Sequence, residues 1–195
     1  MTSHDTETPA AGTSTDRDDV TRLLQSQHDE VTALFRRLDQ PITSIGDLFC
    51  ELRRLLAVHE TAEEVLVYPA LRHAGGDGDR IADERIVEED RAKADIPGLE
   101  GRDPGSPEFR KGIDELRNAV TAHAEAEERE VFPMIRAHYG PDDLARMATA
   151  VRTAEAAAPT HPHPHAPSSA TGHVVTGPFL AIADRVRDAL SDGTG

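Results

Sequence analysis

Histidine and glutamate recur at helical spacing in two matching stretches of the sequence. One runs from His59 to Pro69 and the other from His123 to Pro133, and both read His-x-x-Ala-Glu-Glu-x-x-Val-aromatic-Pro. The fifth residue of each copy is a glutamate, which on an α-helix lies on the same face as the histidine, one turn away. A single copy would more simply be a solvated acidic helix. The repeat instead favours a metal site that includes His59, Glu63, His123 and Glu127.

A proline closes each copy of the repeat inside an apolar periodic run. Pro69 and Pro133 cannot donate a hydrogen bond to the carbonyl four residues earlier, so each is expected to kink its helix. Two matching interruptions indicate two related helices that bend alike around one centre.

Apolar residues at helical spacing predict four helices, near residues 18–40, 43–75, 81–99 and 108–139, the third with an end frayed at Pro97 and Gly98. His28 lies on the apolar stripe of the first helix and Glu89 on that of the third. A lone inward histidine is more often a hydrogen-bonded core residue than a ligand, but here both residues fall near mid-helix, as the repeats do. Short connections favour an all-α, up-down-up-down four-helix bundle in which these groups meet at one level of the core.

Three regions are predicted along the chain. Residues 1–17 lack apolar periodicity and are expected to be disordered, and residues 18–140 are expected to form the bundle. Residues 141–195 should hold additional C-terminal helices, at about 141–158 and 178–190, joined by a His/Pro-rich linker. In that linker His161, His163 and His165 alternate with prolines, which favours an extended connection over a metal-binding tract.

The composition argues against several classes of partner. The chain has 195 residues and a formal net charge of −15, which is unfavourable for binding nucleic acid or an anionic membrane surface. Cys50 is the only cysteine, so neither an internal disulfide nor a cysteine metal cluster can form. The N-terminus lacks the basic and apolar residues of a signal peptide, and we expect a cytoplasmic protein.

The number and type of the candidate ligands indicate which metal they would bind. Buried carboxylates without a cation are costly, and a metal cluster removes that cost. Six ligands are too many for one tetrahedral zinc, but they suit two octahedral ions bridged by carboxylates. Mixed imidazole and carboxylate ligation favours two iron ions, ahead of manganese or zinc. The predicted ligands are His28, His59, Glu63, Glu89, His123 and Glu127.

His28, the pair His59-x-x-x-Glu63 and the pair His123-x-x-x-Glu127 resemble the HHE cation-binding motif of the hemerythrin family, over about residues 18–139. The resemblance implies a four-helix bundle around a non-haem di-iron centre. It also implies that the two glutamates bridge the irons and that the histidines are terminal ligands.

The third helix departs from the family pattern. Family members usually show Glu-His-x-x-Ala-Lys, whereas this chain reads Glu88-Glu89-Asp90-Arg91-Ala92-Lys93, with Glu89 in the place of the histidine. Arg85 and Ile86, one turn earlier, cannot replace a further histidine of animal hemerythrins. An anionic oxygen ligand stabilises ferric iron more than imidazole does, so reversible oxygen carriage is disfavoured.

The sequence leaves three functions open. The first is a di-iron protein that reacts with peroxide, oxygen or nitric oxide, for example a catalase-like enzyme, with Tyr68 and Glu60 near enough to assist. The second is an oxygen-, iron- or redox-sensing module, or an iron-binding one, without turnover, in which the C-terminal helix is the output element. The third is a structural bundle whose histidines and carboxylates face water.

Overall fold

The computed structural model of the protein describes residues 19–40 and 44–157. Every regular element within these ranges is helical, and none of these helices has the length and hydrophobicity needed to cross a membrane. The predicted segment 1–17, the histidine linker and the predicted helix 178–190 lie outside the described residues. The elements are α1 (Val20–Leu38), α2 (Ile45–Ala62), a π-helical turn (Glu63–Val67), α3 (Tyr68–Ala74), α4 (Gly78–Glu100), α5 (Pro107–Ala126), a second π-helical turn (Glu127–Val131), α6 (Phe132–His138) and α7 (Pro141–Ala157).

These elements form a four-helix bundle with one further helix. The four members are α1, α2 continued by α3, α4, and α5 continued by α6. Consecutive members pack against each other, and α1 also packs against α5, which closes the bundle. The prediction of an all-α, up-down-up-down bundle is confirmed, and α7 corresponds to the first of the two predicted C-terminal helices.

Local sequence signals set several helix ends. The Asp19 carboxylate accepts a hydrogen bond of 2.8 Å from the Thr21 backbone N–H and caps α1. Ser106 caps α5 in the same way, through a 3.1 Å bond from the Phe109 N–H. The expected fraying at Pro97 does not occur, because α4 continues to Glu100 and buries the Leu99 side chain in the last turn. Packing there outweighs the hydrogen bond that the proline removes.

The predicted interruptions at Pro69 and Pro133 take the form of π-helical turns just before each proline. In the first turn the Tyr68 N–H donates to the carbonyl of Glu63, five residues earlier, and Phe132 does the same to Glu127 in the second. A π turn accommodates about one residue more than an α turn. Both repeats therefore share the same backbone irregularity, and each begins at its glutamate.

The core consists of two apolar clusters separated by a layer of polar side chains. One cluster includes Leu24, Val58 and Val131, and the other includes Val31, Leu56 and Leu116. Buried residues of α7 join the first cluster, namely Leu144, Met147, Ala148, Ala150 and Val151. The additional helix thus covers one end of the bundle, and the polar layer lies between the two apolar clusters.

Candidate metal centre

The six predicted ligands converge in the polar layer of the core. Their exposed fractions range from 0 to 9%. They form two groups, and within each group one ligand atom from every residue lies within 4.8 Å of the others. Glu63 belongs to both groups, so its carboxylate lies between the two halves of the centre. The groups are His28, His59, Glu63 and Glu127, and Glu63, Glu89 and His123.

All three histidines have the same orientation relative to the centre. The Nδ1 atom of each ring contacts an oxygen acceptor of a different helix, at 2.6 to 3.1 Å. An oxygen acceptor requires a hydrogen on Nδ1, so Nε2 is the nitrogen of each ring that faces inward and is available to a metal. The three contacts are His28 with Glu128, His59 with Gln27, and His123 with Glu88.

Several inward-facing atoms have no hydrogen-bond partner in the part of the chain that the structure describes. They are both carboxylate oxygens of Glu63, Oε2 of Glu127 and Nε2 of His123. The His123 nitrogen is 3.6 Å from Glu127 and 3.7 Å from Glu89, too far for a hydrogen bond. Buried polar atoms without partners are costly, whereas a bound cation would satisfy all of them together. The donor set therefore fits a metal.

The protonation of the metal-free centre reflects its crowding. Burial raises the pKa of Glu89 to about 9, and burial with the neighbouring Glu127 also raises the pKa of Glu63. Burial opposes ionisation of Glu127 as well, but contacts with His28 and His123 hold the pKa of this carboxyl below its usual value. Protons thus neutralise Glu63 and Glu89 where a cation would otherwise do so.

His28 and His59 face each other across one half of the centre. Their Nε2 atoms are 3.0 Å apart, close enough to share a proton or to donate lone pairs to one cation. Burial, together with the charge of His28, lowers the pKa of His59 to about 3, so this ring is neutral. A neutral imidazole is the form that binds metals.

The aromatic residue of each repeat contacts the centre in its own way. The Tyr68 hydroxyl is buried and lies within hydrogen-bond distance of Glu89 and of Glu127, the latter at 2.8 Å. Phe132 instead stacks on the His28 ring, with centroids 5.7 Å apart. The repeat therefore supplies one polar and one apolar support for the candidate ligands.

Lys93 brings a positive charge to the carboxylate-rich side. Its ammonium lies 3.3 Å from Glu89 and 3.5 Å from Glu60, and it also pairs with Glu64. Burial raises the pKa of Glu60 to about 7 despite this contact. Lys93 thus compensates part of the charge that Glu89 would bring on ionisation.

A small cavity adjoins the centre between α1, α2, α4 and α5. Its volume is about 30 Å³, enough for a water or a diatomic molecule. Its lining includes the candidate ligands His28, His59, Glu89 and His123 together with the apolar residues Val31, Leu56, Ala92 and Val120. A small ligand in this cavity would lie directly beside the metal-facing nitrogens.

Sequence reasoning missed the residues that orient the histidines. Gln27 and Glu128 directly precede and follow candidate ligands, while Glu88 directly precedes Glu89. The repeat offered one signal, because a second glutamate follows the first in both copies. Even so, the two copies differ in use, since Glu128 contacts His28 and Glu64 contacts Lys93.

Comparison with known proteins agrees with this geometry. Residues 19–135 match the model of the hemerythrin HHE cation-binding domain. The fold resembles the crystal structure of a hemerythrin HHE cation-binding domain-containing protein from Mycobacterium kansasii, with a TM-score of 0.61 and 23% identity over 72% of this chain and 89% of that one. The chain belongs to the hemerythrin family of HHE cation-binding domain proteins.

Two curated relatives each match about two thirds of the chain. An uncharacterized hemerythrin-like protein of Schizosaccharomyces pombe is 28% identical over 136 residues, which are 69% of this chain and 67% of that protein. A DNA nickase of Nostoc is 27% identical over 135 residues, which are 68% of this chain but only 38% of the nickase. The shared family supports a cation-binding centre at the His/Glu cluster.

Proposed function

We propose that the centre holds two iron ions and that the protein is redox-active toward peroxide, oxygen or nitric oxide. The observation that carries the proposal is the position of Glu63, which belongs to both ligand groups and whose two oxygens have no hydrogen-bond partner among the described residues. One carboxylate shared by two ligand groups suits a bridge between two ions. Mixed imidazole and carboxylate donors favour iron, with manganese or zinc as weaker candidates.

The residues around the centre suit a small oxidant. Bound iron would supply Lewis-acid and redox chemistry. The cavity of about 30 Å³ has room for a peroxide or a diatomic ligand. Tyr68 holds a hydroxyl proton beside Glu89 and Glu127, and Lys93 holds an ammonium beside Glu89 and Glu60. These groups can orient carboxylates and move protons without entering the cavity as ligands.

Sensing or iron binding without turnover is the second candidate. One observation favours it, since α7 packs on α1 and α2, the helices that carry His28 and His59. A change at the centre could thus reach the C-terminal part of the chain. Catalytic turnover of peroxide distinguishes the two candidate functions, because only the first requires it.

The remaining expectations about partners rest on charge. A net charge of −15 disfavours nucleic acid and anionic membranes. The nickase's name describes a protein of which this chain matches only 38%, so we do not extend DNA cleavage to this chain.

Peroxide decomposition by the iron-loaded protein tests the proposal. We expect iron-dependent oxygen release from peroxide, and we expect Glu63→Ala to lose most of the iron and the activity because the shared carboxylate is gone. Glu115→Ala removes an exposed carboxylate of α5 and serves as the control. Stoichiometric iron with a spectrum that changes reversibly with oxygen or nitric oxide, but without turnover, would support the sensing candidate. Wild-type iron content in Glu63→Ala would contradict the bridge.

A further inference from the structure

A hydrogen-bonded chain connects helix α7 to a candidate metal ligand. The Gln27 side chain donates through Nε2 to Glu155 Oε1, and its Oε1 accepts from His59 Nδ1 at 2.6 Å. Gln27 is 3% exposed and His59 is 4% exposed, so the inner part of the chain is shielded from water. Glu155 lies 20 residues beyond the family-matched region, which ends at residue 135.

The carboxylate of Glu155 determines which way the Gln27 amide faces. An amide has a donor end and an acceptor end, and a carboxylate can only accept. Glu155 therefore selects the orientation in which the amide nitrogen faces α7 and the amide oxygen faces His59. In the reverse orientation two oxygens would oppose each other, and the amide would present a donor to the imidazole.

The amide oxygen in turn selects the tautomer of His59. Because the oxygen can only accept, the imidazole must carry its hydrogen on Nδ1, and the Nε2 lone pair faces His28 and Glu63. A reversed amide would favour a hydrogen on Nε2, which blocks that nitrogen as a ligand. The two contacts of Gln27 thus link a carboxylate on α7 to the ring of His59.

The helix dipole disfavours a glutamate at position 155. It lies in the last turn of α7, where a negative charge opposes the helix dipole, and no basic residue occupies that turn. Glu30 is also nearby, and burial raises the pKa of the Glu155 carboxyl. Arg54 and Arg152 have the opposite effect on this pKa and offset part of the unfavourable burial of the charged carboxylate. The contact with Gln27 gives the residue a role that the helix itself does not.

We propose that Glu155 is a positioning residue of the metal centre, acting through Gln27 to hold His59 in the tautomer that binds metal. The helix beyond the family-matched region is then part of the centre's outer support. The inference rests on the proposed role of His59 as a ligand, but its first test uses metal-free protein and does not depend on iron.

Nitrogen NMR of the imidazoles in the full-length, metal-free protein at neutral pH tests the tautomer directly, with the His59 signals assigned by their loss in His59→Gln. We expect wild-type His59 to carry its hydrogen on Nδ1. Glu155→Gln retains an acceptor oxygen and should keep that tautomer, whereas Glu155→Ala should shift a measurable fraction to the Nε2–H form. An unchanged tautomer in Glu155→Ala would overturn the proposal.

Metal affinity gives the second readout. Outer partners of ligating histidines typically change affinity by about 10- to 100-fold, so we expect Glu155→Ala to weaken iron binding by about tenfold. Glu155→Gln should restore most of that loss. Asp143→Ala removes a carboxylate of the same helix that pairs with Arg146 one turn away, so it is the matched control and should leave affinity unchanged.

A double substitution distinguishes positioning from a general effect on α7. In a Gln27→Leu background the hydrogen bonds that link Glu155 to His59 are already lost, so adding Glu155→Ala should not weaken iron binding further. If the two losses add in full, Glu155 acts by another route and the proposal fails.

Discussion

Glu89 gives the centre its unusual charge. It places a third carboxylate in a layer that already contains Glu63 and Glu127, and its exposed fraction is only 2%. In the metal-free protein its proton and the Tyr68 hydroxyl stabilise it, and Lys93 is nearby. Two cations would replace those protons, so the carboxylate-rich side should favour the more highly charged metal state.

Exchanging this carboxylate for imidazole should make bound iron easier to reduce. Glu89→His replaces an anion with a neutral donor, so the ferric form loses more stabilisation than the ferrous form. A tenfold weaker preference for ferric iron corresponds to a potential higher by about 59 mV for a one-electron couple. Redox titration measures it. Asp90→His, at the exposed neighbouring position, is the control, and equal potentials for both variants would place Glu89 outside the ligand set.

The buried carboxyls should make the metal-free protein less stable as the pH rises. An unfolded Glu89 ionises near pH 4.5, whereas in the folded protein its pKa is about 9, so the stabilisation present at low pH is lost through this window. His59, with its lowered pKa, affects stability only below about pH 6.5.

Between pH 6.5 and 8 the Glu89 contribution amounts to about 2 kcal/mol of unfolding free energy. Denaturant unfolding with a chelator present should show wild-type stability falling over this range. Glu89→Gln, which keeps the shape without the titration, should lose distinctly less. Parallel curves for the two proteins would show that Glu89 ionises normally.

At the scale of the helix, each π turn keeps the buried residues before it and the buried residues after it on the same side of the long helix. Twelve residues separate His59 from Leu71, as they do His123 from Ile135, and all four are buried. On a regular α-helix, twelve residues would rotate the second side chain by about 120° relative to the first. Because the π turn takes up about one extra residue, the rotation is that of about eleven α-helical residues, which is about 20°.

A one-residue deletion tests this interpretation. Removing the exposed Glu64 should convert the first π turn to regular α-helix while both faces stay aligned, so the protein should still fold. Removing Glu51, exposed in the regular part of α2, should rotate all that follows by about 100° and abolish folding. Circular dichroism and thermal unfolding distinguish them. A folded protein without Glu51 and an unfolded one without Glu64 would contradict the account.

The helices and the pairing of histidine with glutamate within each repeat were predictable because both follow from spacing along one helix. His59 with Glu63 needs only a four-residue interval, and the interruption at Pro69 needs only a missing N–H. The orientation of Tyr68 toward Glu89 was not predictable, since it depends on how two helices are rotated against each other. The π form of the interruptions also depends on which residues the rest of the bundle buries.

Over the whole molecule, the metal centre divides the core into two apolar clusters, and α7 completes one of them. Gln27 and Glu155 are 128 residues apart in the chain, so no local pattern could predict their contact. Bound ions should make the four bundle members unfold together, because all four contribute ligands to one layer.

Anomalous diffraction at the iron edge from crystals of the iron-loaded protein tests the central claim most directly. We expect two peaks in the polar layer, on either side of Glu63, each about 2.0 to 2.5 Å from its ligand atoms. Nε2 of His28 and His59 should ligate one ion, and Nε2 of His123 with Glu89 the other. A single peak, or peaks away from Glu63, would contradict a two-iron centre built from these six residues.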